Sequence, residues 1–159
     1  MSRKEGAMQV RELMSRGVVT IGPTESCLDA VVRMQRARVR HLPVLNRDGQ
    51  LVGVVTDRDL RHHLFSSRVF GTLGSTAVDV LLDGVRVAEI MSTDVMTVDA
   101  GAEVGDAADT MRKHRVGSLP VMDRGRMVGI VTEVDILRQV VRTDAARAPE
   151  CAEIIVSYP

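Results

Sequence analysis

Two rhythms of apolar residues alternate along this chain, and the alternation happens twice. Over residues 42–45 and 51–56 the apolar positions fall in short runs of strand length. Between them stands Asn46-Arg47-Asp48-Gly49, a turn composition, and the three pieces together predict a hairpin. Upstream, Leu28, Val31, Val32 and later Val39 recur at helical spacing behind Thr24 or Ser26, either of which can cap a helix. A brief helical lead-in over residues 10–15 and a β-branched run over residues 18–21, closed by Gly22-Pro23, come first. A further helix starts at Asp57. The unit therefore reads helical turn, strand, helix, strand, strand, helix.

The second half repeats the first. Val10 stands against Val87, a shift of 77 positions that Glu12/Glu89, Met14/Met91, Val18/Val95 and Thr20/Thr97 keep. Leu42-Pro43-Val44 recurs as Leu119-Pro120-Val121 at the same shift. One residue drops out of the second turn, Asp123-Arg124-Gly125, and Gly53/Gly129, Thr56/Thr132 and Asp59/Asp135 follow at a shift of 76. In the repeated helix Val104, Ala107, Ala108 and Met111 form the apolar face, with Met34 and Met111 as packing residues. The expected organisation is a first unit over 8–66, a linker over 67–86, a second unit over 87–143 and a tail over 144–159. The linker has no counterpart in the second unit and holds a helix-like run at residues 78–82. The tail ends in Ile154-Ile155-Val156, which reads equally as an extra edge strand or an interaction segment.

Composition narrows the possibilities. A length of 159 residues suits two small units sharing a core, and 45% hydrophobic with 26% charged residues is ordinary for a globular chain. The 21 Lys and Arg balance the 21 Asp and Glu, which argues against a polyanion as the main partner. With 2% aromatic residues and no Trp, stacking platforms for single-stranded nucleic acid are nearly absent. Cys27 and Cys151 stand far apart with no metal or redox spacing, and no apolar stretch reaches signal-peptide or membrane-spanning length. A cytoplasmic, unanchored protein with reduced thiols is expected.

The chemistry concentrates where each hairpin ends. Gly53-Val54-Val55-Thr56-Asp57-Arg58-Asp59 and Gly129-Ile130-Val131-Thr132-Glu133-Val134-Asp135 both place Thr and Asp three apart at a helix start. That spacing is a capping box. It also gathers amides, a hydroxyl and a carboxylate at a helix N-terminus, a set suited to a phosphate and a sugar diol. Neither reading excludes the other. Arg33, Arg36, Arg38 and Arg40 read as a solvated helix face or as a phosphate-facing patch, and adjacent His62 and His63 lack the companions of a metal site.

The duplicated order of Leu-Pro-Val, Val-Gly and Thr-x-x-Asp resembles a tandem pair of cystathionine-β-synthase (CBS) domains, a Bateman module, over about residues 10–141. The resemblance implies an α/β (α+β) fold of two pseudo-symmetric units, each a small sheet with helices packed on it, and pairing into a homodimer. It implies an adenosine-containing ligand, of the AMP, ADP, ATP or S-adenosylmethionine class, as effector rather than cofactor. Asp59 and Asp135 then meet the ribose, with Thr56 and Thr132 beside them. Adenine lies against the segments that include Thr20 and Thr97 and against Val44 and Val121, and Arg40 and His41 reach phosphate. Because Gly117-Ser118 replaces that basic pair in the second unit, the Asp59 site is expected to prefer the more highly charged ligand. No nucleophile–base pairing, phosphate-binding glycine loop or metal spacing suggests an enzyme. The expected function is a regulatory sensor that signals to a partner protein. A ligand-free CBS scaffold and a nucleic-acid-binding module are the alternatives.

Overall fold

A computed structural model describes residues 7–66 and 75–147. The first repeat contributes α1 (Val10–Leu13), α2 (Cys27–Ala37), β1 (His41–Leu45), β2 (Leu51–Thr56) and α3 (Asp57–Ser66). A linker helix, α4 (Ser75–Gly84), follows. The second repeat supplies α5 (Val87–Ile90), β3 (Val98–Asp99), α6 (Val104–His114), β4 (Ser118–Asp123), β5 (Arg126–Thr132) and α7 (Glu133–Arg147). The class is α+β, with small sheets and helices packed on them. The linker's helix-like run is real and its Leu82 is buried in the first core, while the tail's Ile154-Ile155-Val156 lies outside the described residues.

Local chemistry sets the helix boundaries. Ser26, not Thr24, caps α2: its hydroxyl accepts from the Asp29 amide at 3.1 Å, and the Asp29 carboxylate accepts in return from the Ser26 amide at 3.1 Å. The deepest stripe of α2 is Cys27, Ala30 and Met34, one step round from the expected Leu28, Val31 and Val32. Small Cys27 and Ala30 let the helix axis approach the strands, and Leu28 and Val31 pack at the margin. In α6 the equivalent residues Ala107 and Met111 are buried.

The hairpins form as expected. β1 and β2 pair antiparallel with His41 opposite Thr56, and β4 and β5 pair with Ser118 opposite Thr132. The shorter second turn puts Arg124 and Gly125 at φ of 49° and 77°, a two-residue turn that matches strand twist. The first strand of each repeat is less regular. β3 pairs parallel to β4, whereas its counterpart at residues 18–21 shrinks to one bridge between Ile21 and Val44. In the second repeat the Ala100 amide extends the ladder by donating to the Met122 carbonyl at 2.9 Å. The equivalent residue in the first repeat is Pro23, which has no amide hydrogen to give.

The two repeats are not self-contained. Val10 and Met14 of the first lead-in sit in the core of the second repeat, with Leu119, Val121 and Val131. Val87 of the second lead-in sits in the core of the first, with Leu42, Val44 and Val55. Each lead-in also pairs with the opposite hairpin: Ser15 bridges Ile130, and Ser92 bridges Val54. The close approach needs glycine. A Cβ on Gly53 would lie 2.6 Å from the Met91 sulfur and 3.1 Å from the Ser92 carbonyl oxygen, and one on Gly129 would lie 2.6 Å from the Met14 sulfur and 2.9 Å from the Ser15 carbonyl oxygen.

Gly53→Ala and Gly129→Ala are each expected to destabilise the protein by about 1–3 kcal/mol in denaturant titrations, because the obstructing atoms include backbone. Gly105→Ala in α6, where nothing lies within 4 Å of the added carbon, should instead gain about 0.4–1 kcal/mol.

Candidate functional site

Both Thr–Asp corners are built as capping boxes. The Asp59 Oδ2 accepts from the Thr56 amide at 2.8 Å and from its hydroxyl at 2.7 Å, while the Asp59 amide donates to Thr56 Oγ1 at 3.2 Å. Asp135 and Thr132 repeat this at 2.9, 2.7 and 3.3 Å. The first amide of each closing helix is used too: Asp57 donates to the Arg40 carbonyl and Glu133 to the Gly117 carbonyl, both at 3.1 Å. Each corner therefore secures the residue that leads into its own hairpin. Only one oxygen of each carboxylate is consumed. Among the described residues Asp59 Oδ1 accepts no hydrogen bond, and Asp135 Oδ1 has only the Arg138 guanidinium, 4.0 Å away.

The corners open into one cleft of about 680 Å³ between the repeats, within the size range of small-molecule sites. Thr56, Asp59, Thr132 and Asp135 all line it. Val18, Val19, Val95 and Met96 supply aliphatic wall, and Arg40 and His41 enter from the first repeat. The other expected residues lie elsewhere. Val44 and Val121 are fully buried in the two cores and do not reach the cleft. Thr20 offers its carbonyl to Arg33, which also pairs with Glu25, so Arg33 belongs to the scaffold rather than to a phosphate patch. Thr97 faces a separate groove of about 860 Å³ between the hairpin turns, a groove that neither capped corner lines.

Some lining residues had no strong sequence signal. Arg38 and Arg115 end α2 and α6 in the left-handed conformation, at φ of 54° and 55°, and both line the cleft. A non-glycine residue there carries strain of about 1–2 kcal/mol. Arg38 already stood among the arginines of a candidate phosphate-facing patch, whereas Arg115 had only its repetition at the equivalent position. Glu133, expected only as the start of the closing helix, also faces the cleft.

His41 is half-buried and reaches across the pseudo-twofold. Its Nε2 lies 3.3 Å from where a Gly117 Cβ would be, and Glu133 Oε2 lies 3.5 Å from the same point. The space left by Gly117 is thus filled by the first repeat's histidine. Burial pulls the His41 pKa below the ordinary 6.5, with Arg40 adding to the shift and Asp57, Glu133 and Asp59 opposing it. At neutral pH His41 is uncharged, so the standing positive charge of the basic pair is that of Arg40. Cys27 is no nucleophile: burial pushes its thiol up to about 11. Among the described residues no group of three or more His, Cys, Asp or Glu side chains could hold a metal, and no helix is long and apolar enough to cross a membrane.

Comparison with known proteins agrees with this architecture. The CBS domain family model matches residues 10–66 and 87–142, and the chain belongs to the CBS domain family. A CBS domain-containing protein of Dictyostelium discoideum is 39% identical over 132 residues, covering 80% of this chain and 88% of that one. Hypoxic response protein 1 of Mycobacterium tuberculosis is 31% identical over 128 residues, covering 80% of this chain and 82% of its own. Several archaeal relatives are longer, the match spanning 45%, 46% and 32% of their lengths. Among solved structures, the CBS domain pair of protein MJ0100, in complex with 5′-methylthioadenosine and S-adenosyl-L-methionine, superposes with a TM-score of 0.74 at 26% identity. It covers 86% of this chain and 98% of its own.

The direction of the His41 shift fixes a pH dependence. Folding favours the neutral imidazole, so its contribution to stability is complete above about pH 6.5 and is lost as pH falls through the lowered folded value. Melting temperatures of the wild type should fall across that window more steeply than those of His41→Gln. Parallel curves would show that His41 is solvated.

Proposed function

We propose that the chain is a regulatory module that binds an adenosine-containing ligand in the cleft between its two repeats and transmits occupancy to a partner protein. The observation that carries this reading is the pairing of two capped corners in one cleft, each with a carboxylate oxygen left over after the cap is made. That oxygen is suited to accept from a ribose diol, as acidic residues do in other nucleotide sites. The N-termini of α3 and α7 favour negative charge nearby, and the valine wall suits the face of a purine. The MJ0100 domain pair, crystallised with two adenosyl compounds, supports the same ligand class.

Signalling requires only that ligand bind one placement of the repeats better than another. The lead-ins join the two repeats at both hairpins, so closure of the cleft would be felt on both sides of it. α7 also exposes Leu137, Val140 and Val141, which do not line the cleft, an apolar surface on which a second copy of this chain or the regulated partner could read the change. A cytoplasmic homodimer, with an effector rather than a cofactor, is the working form of this proposal.

Calorimetry with AMP, ATP, S-adenosylmethionine and 5′-methylthioadenosine tests it. At least one compound should release or absorb heat and raise the melting temperature by mass action. In the paired variant Asp59→Ala, Asp135→Ala the binding should vanish, while loss of two capping partners costs about 1 kcal/mol each. A folded wild type that ignores the whole panel would instead be a scaffold whose corners only cap helices.

A further inference from the structure

The two halves of the cleft are equal in their corners and unequal in their charge. At equivalent positions the first repeat presents Arg40, Arg58 and Arg61, and the second presents Gly117, Val134 and Leu137. The three arginines line the cleft, as do Gly117 and Val134. Arg61 is engaged by Asp57 at 2.8 Å, but Arg40 and Arg58 form no ion pair among the described residues. The second half has no such surplus: its two arginines, Arg115 and Arg138, are matched by Glu133 and Asp135. Its Arg138 stands beside Asp135, 4.0 Å away, and Glu133 forms no ion pair among the described residues. Arg38 and Arg115 occur once on each side and cancel in the comparison.

One further carboxylate, Asp94, lines the cleft from the segment near the midline, two residues after the Ser92 bridge to Val54. Counted with the first half, it still leaves four arginines against three carboxylates there, and two against two in the second. Counted with the second, it widens the difference. His41, at the seam against Gly117 and Glu133, is neutral and favours neither side.

Resting on the adenosine reading, the geometry points to a polarised cleft: the Asp59 half takes a phosphate-bearing adenosine ligand, and the Asp135 half takes an uncharged or cationic adenosine derivative. Unpaired guanidinium groups are the strong partners for phosphate oxygens. Unpaired Glu133 repels phosphate and tolerates a thioether or attracts a sulfonium. The protein then integrates two signals rather than measuring one twice.

AMP and 5′-methylthioadenosine make a matched pair of probes, because they share the nucleoside and differ in the phosphate. Arg58→Val leaves both caps intact and is expected to weaken AMP about tenfold, the size of one lost charge-assisted contact. It should leave 5′-methylthioadenosine unchanged. Asp135→Asn should weaken 5′-methylthioadenosine and spare AMP. Val134→Arg, on an exposed helix position, should let the second half accept an additional AMP. Added salt should weaken AMP alone.

Equal effects of Arg58→Val on the two probes, or loss of AMP in Asp135→Asn rather than in Asp59→Asn, would overturn the charge assignment while leaving adenosine binding in place. If the wild type bound neither probe nor any other adenosine compound, the adenosine reading itself would fall, and this inference with it.

Discussion

Each hairpin of this protein is completed by backbone from the other repeat, and the fit depends on Gly53 and Gly129 carrying no side chain. Met91 and Ser92 lie on one glycine, Met14 and Ser15 on the other. The exchange puts Val10 in the second core and Val87 in the first, so neither core is closed without a residue from the opposite repeat. It also determines where the function can sit. Two separately folded units would present their corners on unrelated surfaces, whereas two interlocked ones bring Thr56–Asp59 and Thr132–Asp135 into a common cleft.

The corners themselves serve stability and chemistry with one side chain. In each, Oδ2 of the aspartate ties the helix start, and Thr gives both a donor and an acceptor to the same box. A carboxylate held this way has its rotamer fixed before any ligand arrives, which lowers the ordering cost of binding. Pseudo-symmetry extends to the strained Arg38 and Arg115 and stops at the seam, where His41 occupies the room that Gly117 leaves. The asymmetry in charge begins at that same point.

What the sequence disclosed follows the range of the interactions involved. Capping is a three-residue matter, so Thr56/Asp59 and Thr132/Asp135 were legible from spacing alone, and the hairpins from their turns and apolar runs. The lead-in exchange was not legible, because Val10/Val87 and Met14/Met91 are identical residues and nothing local says which hairpin each will meet. Val44 and Val121 were placed at the ligand by the family resemblance. They sit instead in continuous buried runs, Leu42-Pro43-Val44 and Ser118-Leu119-Pro120-Val121, where both strand faces are covered and the period-two pattern that would orient them is lost. The shortened first strand turned on Pro23, a signal visible in the sequence but read there only as a turn.

The central claim is that the cleft between interlocked repeats is the ligand site. A backbone amide chemical-shift titration with an adenosine ligand tests it most directly, since it locates binding residue by residue. The account predicts saturable shifts at Thr56, Asp59, Thr132 or Asp135 together with the Val18–Val19 or Val95–Met96 wall. Saturable shifts confined to the groove between the hairpin turns, around Gln50 and Arg126, would contradict it.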